Sequence, residues 1–492
     1  MSGAELKSKL TLFDVTNLVV GAIIGADIYV ASALGAGLLG PFSLVAWGAA
    51  GIIAIVLALC FAQCSALLPR VGGPYAYARA AWGPFAGFIV GWSLWLAEWI
   101  SLAVFPVAFT QYLMFFLPGL DWISQVIVRV LFVVFLIVTN VVGVKAAGRT
   151  NDILTVVKLV PLVFFALIGL LFMVFNVTLV TSNFSPFSPF GVGSFGAALV
   201  LIFWAYAGFE ISTIPADEIR DPGRTLPKAI ILGISIVTVF YLTTNIVLFG
   251  VRSWSLLALD KAPLTAATSV ILGSNATLAL IGVLIVGVGA LISVSGSDES
   301  GMIGTSSLGY ALAADGLFPR VFARVHPRFK TPYLGIIISA VTALLAALIG
   351  SSLSVLIATS VFFMAVAYAA TSASVFFLRR KGAKALFNLR GSLSIPILGV
   401  IFSLYLITQC SFNQIALGLV LLFVGVPIYI KYSPKKEIAE LKDALISRES
   451  RLKTTQAQEE RFLAHVLQHL KTFYRRKVGK KQARDLSKQD QA

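Results

Sequence analysis

Apolar runs of about 20 residues or more, separated by short polar stretches, fill the chain from residue 12 to residue 431. Twelve can be distinguished, at 12–39, 41–67, 84–117, 122–144, 152–176, 193–217, 227–250, 275–313, 332–350, 353–379, 394–411 and 413–431. About 20 helical residues cross the hydrocarbon core of a bilayer. Lipid offers no hydrogen bonds, so backbone groups must pair within each segment, and the ten-residue alternating strands of a barrel are absent. The pattern predicts an all-α integral membrane protein with 12 transmembrane helices.

Two runs contain a weak point. The first reads GAIIGADIYV (21–30), with a break at Gly25-Ala26-Asp27, and the sixth has one in Ala205-Tyr-Ala-Gly-Phe-Glu210. The breaks fall five spans apart, in corresponding places of two halves with opposite orientation. Such symmetry points to a secondary transporter built from inverted repeats, with its substrate held at mid-membrane where broken helices meet. The expected organisation is a cytoplasmic N-terminus (1–10), a first repeat of helices 1–5 (11–176), a second of helices 6–10 (193–379), helices 11 and 12 (394–431), and a cytoplasmic tail (432–492).

Composition agrees with this reading: 58% of the 492 residues are hydrophobic and 12% charged, against about a quarter charged in a soluble domain. The net charge of +16 is mostly a topology signal. Lysine and arginine crowd alternate loops (Arg70 and Arg79; Lys145 and Arg149; Arg220, Arg224 and Lys228; Arg320 to Lys330; Arg379 to Arg390), while the intervening loops carry only Arg252 and Lys261. This asymmetry places both termini of a multi-pass cell-membrane protein in the cytoplasm, and no nucleic-acid partner is needed to explain it. No cleavable signal pattern stands in the first residues. Cys60, Cys64 and Cys410 lie within apolar runs, so no disulfide framework is expected. His326, His465 and His469 lie in cytoplasmic segments, so no intramembrane metal site or histidine proton relay can be built from them; no cofactor is expected either. Three outer-loop sequons begin at Asn176, Asn183 and Asn275, too short a pattern to argue from.

Loop chemistry is concentrated in LPRVGGPYAYAR (68–79) and DPGRTLPK (221–228), where the prolines are expected to end helices. The tail carries 15 Lys+Arg against 8 Asp+Glu, with apolar residues at helical spacing (Ile438, Leu441, Leu445; Phe462, Leu463, Val466, Leu467, Leu470). It reads as an amphipathic helix lying on the anionic inner leaflet or on a partner helix.

GAIIGADIYV, residues 61–92, NVVGVKAAGRTNDILTVVKLVP (140–161), FWAYAGFE (203–210) with DEIRDPGRTLPKAI (217–230), and LGYALAADGLFPRVFARVHPRFKTP (308–332) together resemble the amino acid–polyamine–organocation (APC) permeases, from about residue 10 to 430. The resemblance implies the five-plus-five inverted-repeat fold first described for a bacterial leucine transporter, with discontinuous helices 1 and 6 and two extra C-terminal helices. It implies secondary transport of amino acids or amines, coupled to protons or by exchange. The chain departs from the family at Asp27, where glycine is usual; at Gln63, where the second span usually has glutamate; and at Ser307, often arginine.

A broken helix offers free amides, which suit a carboxylate, and free carbonyls, which suit an ammonium. Backbone around Ile24, Gly25, Ala26, Ala207 and Gly208 is therefore the candidate head-group site. The family places an aromatic before the sixth-span break over the substrate, a pattern that Trp204 and Tyr206 match, with Phe203 beside them a further substrate-binding candidate; facing lipid or packing against other helices is their alternative use. Lys158 stands in an apolar span, where an ammonium costs ~2.5–3.5 kcal/mol and is normally paired or functional. In proton-coupled relatives a fifth-span lysine takes the place of a sodium ion, so the resemblance makes Lys158 a coupling residue; snorkelling to the cytoplasmic interface is the other reading. Glu210 matches the family's sixth-span acid and is the proton-linked candidate. Glu98 falls where arginine/agmatine exchangers set a small residue against substrate. Asp298 and Glu299 are secondary acidic candidates, facing Lys158 or a cytoplasmic vestibule. Arg129 either snorkels or pairs with Asp121.

The function these residues point to is proton-coupled amino acid transport, not catalysis, with a tilt toward cationic or amine-bearing substrates set by Asp27 and Glu98. Its expected partners are substrate, protons and membrane lipid; oligomeric state is not readable. Polyamine uptake or amino acid/amine exchange is the alternative, and a non-transporting sensor with the tail as output a further one. An intramembrane aspartyl protease using Asp27 and Asp298 lacks the Gly-x-Gly-Asp setting and leaves the matched breaks unexplained.

Overall fold

A computed structural model describes residues 10–25, 27–68, 72–143, 148–210, 219–349, 352–382 and 393–434. The chain divides into two compact units, Met1–Tyr432 and Ser433–Ala492. The amphipathic helix expected in the tail lies outside the described residues, as do residues 1–9. Helix occupies every apolar run, and no strand occurs among the described residues beyond one isolated bridge between Leu10 and Ile219.

The first run is two helices, α1 (Leu12–Ile23) and α2 (Asp27–Leu39), followed by α3 (Ser43–Leu67), a short α4 (Gly73–Trp82), α5 (Pro84–Phe116), α6 (Trp122–Val142) and α7 (Gly148–Phe175). After α8 (Val177–Asn183) comes α9 (Phe195–Phe203), which tightens into a 3₁₀ turn at Trp204–Tyr206. Then follow α10 (Pro222–Val251), the short α11 (Trp254–Leu257) and α12 (Pro263–Ile271), α13 (Ala276–Ala314), α14 (Tyr333–Leu348), α15 (Leu353–Arg380), α16 (Ser394–Gln409) and α17 (Phe412–Tyr432). Among the described residues, eight helical stretches can cross a membrane by length and composition, one of them α2 and α3 together; α1, α9 with its 3₁₀ turn, α14 and α16 are shorter and apolar.

Local chemistry sets several boundaries. Thr11 and Asp14 cap α1 reciprocally, the Thr11 N–H donating to the Asp14 carboxylate at 2.8 Å, which satisfies amides that a helix start leaves free. Asp121 caps α6 by accepting from the Ser124 N–H at 3.1 Å. Arg129 therefore does not close on Asp121; its Nη1 donates to the Ala347 carbonyl at 3.4 Å. The expectation that the loop prolines end helices is corrected at Pro74 and Pro222, which stand in the first turns of α4 and α10. There the missing N–H costs nothing and the fixed φ suits the helix.

Burial sorts the helices. The most apolar window of α5 is 83% buried, against 22% for α6 and 17% for α17, so α5 runs through the centre and the other two lie at the rim. Their exposed Leu131, Phe135, Val420 and Phe423 suit a lipid solvent. The long α13, at 39 residues, extends about 58 Å at 1.5 Å per residue, well beyond a ~30 Å hydrocarbon core.

Candidate substrate and coupling site

The helix break after α1 spans residues 24–26. Ile24 is extended at φ −72°, ψ 108°, and Asp27 opens α2; Ala26 lies outside the described residues. A Cβ on Gly25 would stand 2.2 Å from Ser297 Oγ and 3.3 Å from Asp27 Oδ2, so both α13 and the Asp27 carboxyl close over this glycine. Asp27, only 9% exposed, also meets its own backbone N–H. A carboxylate in the first turn of a helix is where the dipole and free amides favour one.

The second break has the same device. After the 3₁₀ turn, Gly208 adopts φ +113°, and its N–H donates to Glu210 Oε2 at 2.7 Å. Between the breaks stands Tyr241 of α10, whose hydroxyl lies 3.1 Å from the Ile23 carbonyl and 3.0 Å from the Ala205 carbonyl. Three side chains, Asp27, Glu210 and Tyr241, thus meet the backbone groups that the two interruptions release.

Of the aromatic candidates, Trp204 faces α5. Its Nε1 donates to Ser101 Oγ at 3.1 Å, and its ring lies 5.7 Å from Phe105. Ser101 continues to Ser360 of α15 at 2.9 Å, and Ser360 donates to the Ala97 carbonyl at 3.0 Å. Tyr206 points elsewhere, its hydroxyl donating to the Trp47 carbonyl at 2.9 Å and its ring packed on Tyr241. Phe203 is fully buried, 6.3 Å from Tyr368.

Glu98 sits on α5 one turn before Ser101, within electrostatic range of Glu210 and Asp27. One turn of α13 distributes its polar residues by direction, because successive helical residues differ by about 100°. A Cβ at Gly296 would be 3.0 Å from Lys158 Cε and 3.5 Å from its Nζ, and Ser297 reaches Gly25. Asp298 is 1% exposed and its Oδ1 has no hydrogen-bond partner among the described residues. One turn further on, a Cβ at Gly301 would meet Leu102 of α5 at 3.3 Å, so Asp298 belongs to the α5-facing side. Glu299 lies in the field of Lys158, as does Asp27. Asp298 and Glu299 therefore do not act as one pair toward Lys158.

The sequence reading missed Tyr241, Ser101, Ser297 and Ser360. Tyr241 left a faint signal, a polar aromatic in an otherwise apolar span; the serines left none, because hydroxyls in membrane helices commonly bond their own preceding turn.

Comparison with known proteins matches the "Amino acid permease" family model over residues 10–429. The chain belongs to the amino acid permease family. Over 452 residues it is 28% identical to the branched-chain amino acid permease BcaP of Bacillus subtilis, covering 88% of this chain and 94% of that one. To the serine/threonine exchanger SteT of the same organism it is 26% identical, over 88% and 98% of the two chains. To that organism's methylthioribose transporter it is 27% identical, over 67% and 73%. These relatives are transporters, not enzymes, and this permease is an amino acid transporter with several membrane-crossing helices.

Proposed function

We propose that this permease is a proton-coupled secondary transporter of the cell membrane, with a tilt toward amino acids or amines that bring a second positive charge. In this reading the chain makes 12 crossings as a five-plus-five inverted repeat plus two helices, with both termini cytoplasmic. One observation carries the tilt: the free amides of both breaks already face internal carboxylates, Asp27 and Glu210, with Glu98 nearby. An incoming ammonium finds three acids. An incoming α-carboxylate must displace one of them, which becomes cheap when that acid takes a proton. Protonation of Asp27 or Glu210 thereby frees amides for the substrate head group, and Lys158, in the field of Asp27, is the group that hands the proton on. Trp204, held by Ser101, covers the substrate.

The test is uptake into proteoliposomes of labelled leucine, arginine and putrescine, with and without an inward pH gradient. Arginine and putrescine are expected to compete best, and Asp27→Asn to erase that preference. A preference for leucine that Asp27→Asn leaves untouched removes the tilt. Lys158→Ala is expected to abolish stimulation by the gradient; an unchanged response would exclude this lysine from coupling. Similarity to the exchanger SteT supports a second reading, obligatory exchange, and uptake that requires internal amino acid would establish it.

A further inference from the structure

The structure contains a cavity of ≈480 Å³ between α2, α9, α15 and the α16–α17 turn. That size lies in the range that buries a drug-sized molecule. Gly37 of α2, Ala197 of α9 and Ala358 of α15 are among its apolar walls, and Gln409, Ser411 and Gln414, with Ser354 of α15, supply amides and hydroxyls. Its lining on α2 begins at Ala33, six residues beyond Asp27 and about 9 Å along the helix, and none of Ile24, Gly25, Asp27, Ala207 or Gly208 lines it, so it is separate from the head-group site. Gln409 lies across the start of α9: a Cβ on Gly196 would fall on its side-chain oxygen.

The lining selects its occupant. None of its residues is ionisable, so a zwitterion would leave both charges uncompensated, at a cost of several kcal/mol per buried ion. Alanine, glycine, valine and leucine make an alkyl-lined slot, and Ser354, Gln409, Ser411 and Gln414 are its polar residues. Close in sequence to Ser411 and Gln414, Phe412 is 83% and Leu417 46% exposed, an apolar surface that suits lipid. We propose that the cavity binds an uncharged single-chain amphiphile from the membrane. Its chain lies between α2, α9 and α15, and its hydroxyl or ester head sits on Gln409, Ser411 and Gln414. Because α2 and α9 continue directly from the two breaks, an occupant that bridges them to α15 favours the states in which this slot is intact and slows the transport cycle.

The experiment uses phosphatidylcholine proteoliposomes and a monoacylglycerol carrying a photoreactive group on its chain. Cross-linked peptides are expected from α2, α9 and α15, with labelling competed by unlabelled monoacylglycerol. Unlabelled monoacylglycerol should also lower the maximal uptake rate without raising KM. Gly37→Leu should lose both effects while keeping basal uptake, because a Cβ there meets only the Ala258 Cβ at an ordinary 3.5 Å. Should that variant not fold, Gln414→Leu is expected to raise the half-effective concentration at least tenfold. Labelling spread over the rim helices and equal in wild type and variants overturns the proposal. Displacement of the probe by transported substrate also overturns it, assigning the cavity to a second substrate molecule.

Discussion

Gly208 and Gly25 open the two breaks in physically different ways. At Gly208, φ is +113°, and a Cβ would come within 2.5 Å of the Ala22 carbonyl oxygen. Backbone cannot step aside, so Gly208→Ala is expected to cost ~1–3 kcal/mol and to abolish uptake. At Gly25 the obstacle is the Ser297 hydroxyl, the end of a side chain that can rotate, so Gly25→Ala should retain measurable uptake and a higher melting midpoint than Gly208→Ala. Equal losses would contradict the distinction. Tyr241→Phe removes the hydroxyl shared by the Ile23 and Ala205 carbonyls; leaving such buried groups unmet costs ~1–3 kcal/mol. A lowered thermal midpoint together with a lowered uptake rate is the expected signature, and wild-type values for both would refute the bridge. At this scale the sequence was informative for charged groups and poor for neutral ones. Asp27 and Glu210 announced themselves by standing in oil, whereas Ser101 and Ser360 are as cheap in a lipid-facing helix as in a site.

Among elements, α4 and α13 are joined at one end by a compact cluster. Arg79 Nη1 meets Asp315 Oδ2 at 2.8 Å, and the Tyr75 hydroxyl donates to the same oxygen while accepting from Arg79 at 2.6 Å. The ion-paired side chains are 34% and 43% exposed, so the pair contributes no more than ~1 kcal/mol. Asp315→Asn should therefore leave the melting midpoint nearly unchanged while hydrogen exchange in residues 73–82 accelerates; unaltered exchange would show that α4 is held by its other contacts. Helix positions were legible because a run of twenty apolar residues has few alternatives. What the periodicity hid was direction, since spans buried on all sides carry no amphipathic stripe. That is why Asp298 and Glu299, adjacent in sequence, look like one feature there and lie on different sides of α13.

For the whole molecule, the division at Tyr432 and Ser433 predicts that a chain ending at residue 434 keeps the wild-type melting midpoint and uptake rate in proteoliposomes. A large loss of either would make the tail part of the transporting unit. The family and the membrane class were readable over residues 10–429 because they rest on repeated, redundant signals spread over 420 residues. Cargo was not, because it is decided by a few side chains around two breaks, and relatives of similar likeness carry names as different as branched-chain amino acid permease and methylthioribose transporter.

The notch at Gly296 bears on how such permeases diverge. Lys158 keeps its place because residue 296 has no side chain, the position of a missing Cβ being 3.0 Å from Lys158 Cε. A lineage can thus shift its ammonium by acquiring one methyl group on a neighbouring helix, with every titratable residue still present. Energy coupling is then inherited partly as a volume, and a census of charges alone would class a coupled and an uncoupled descendant as the same machine.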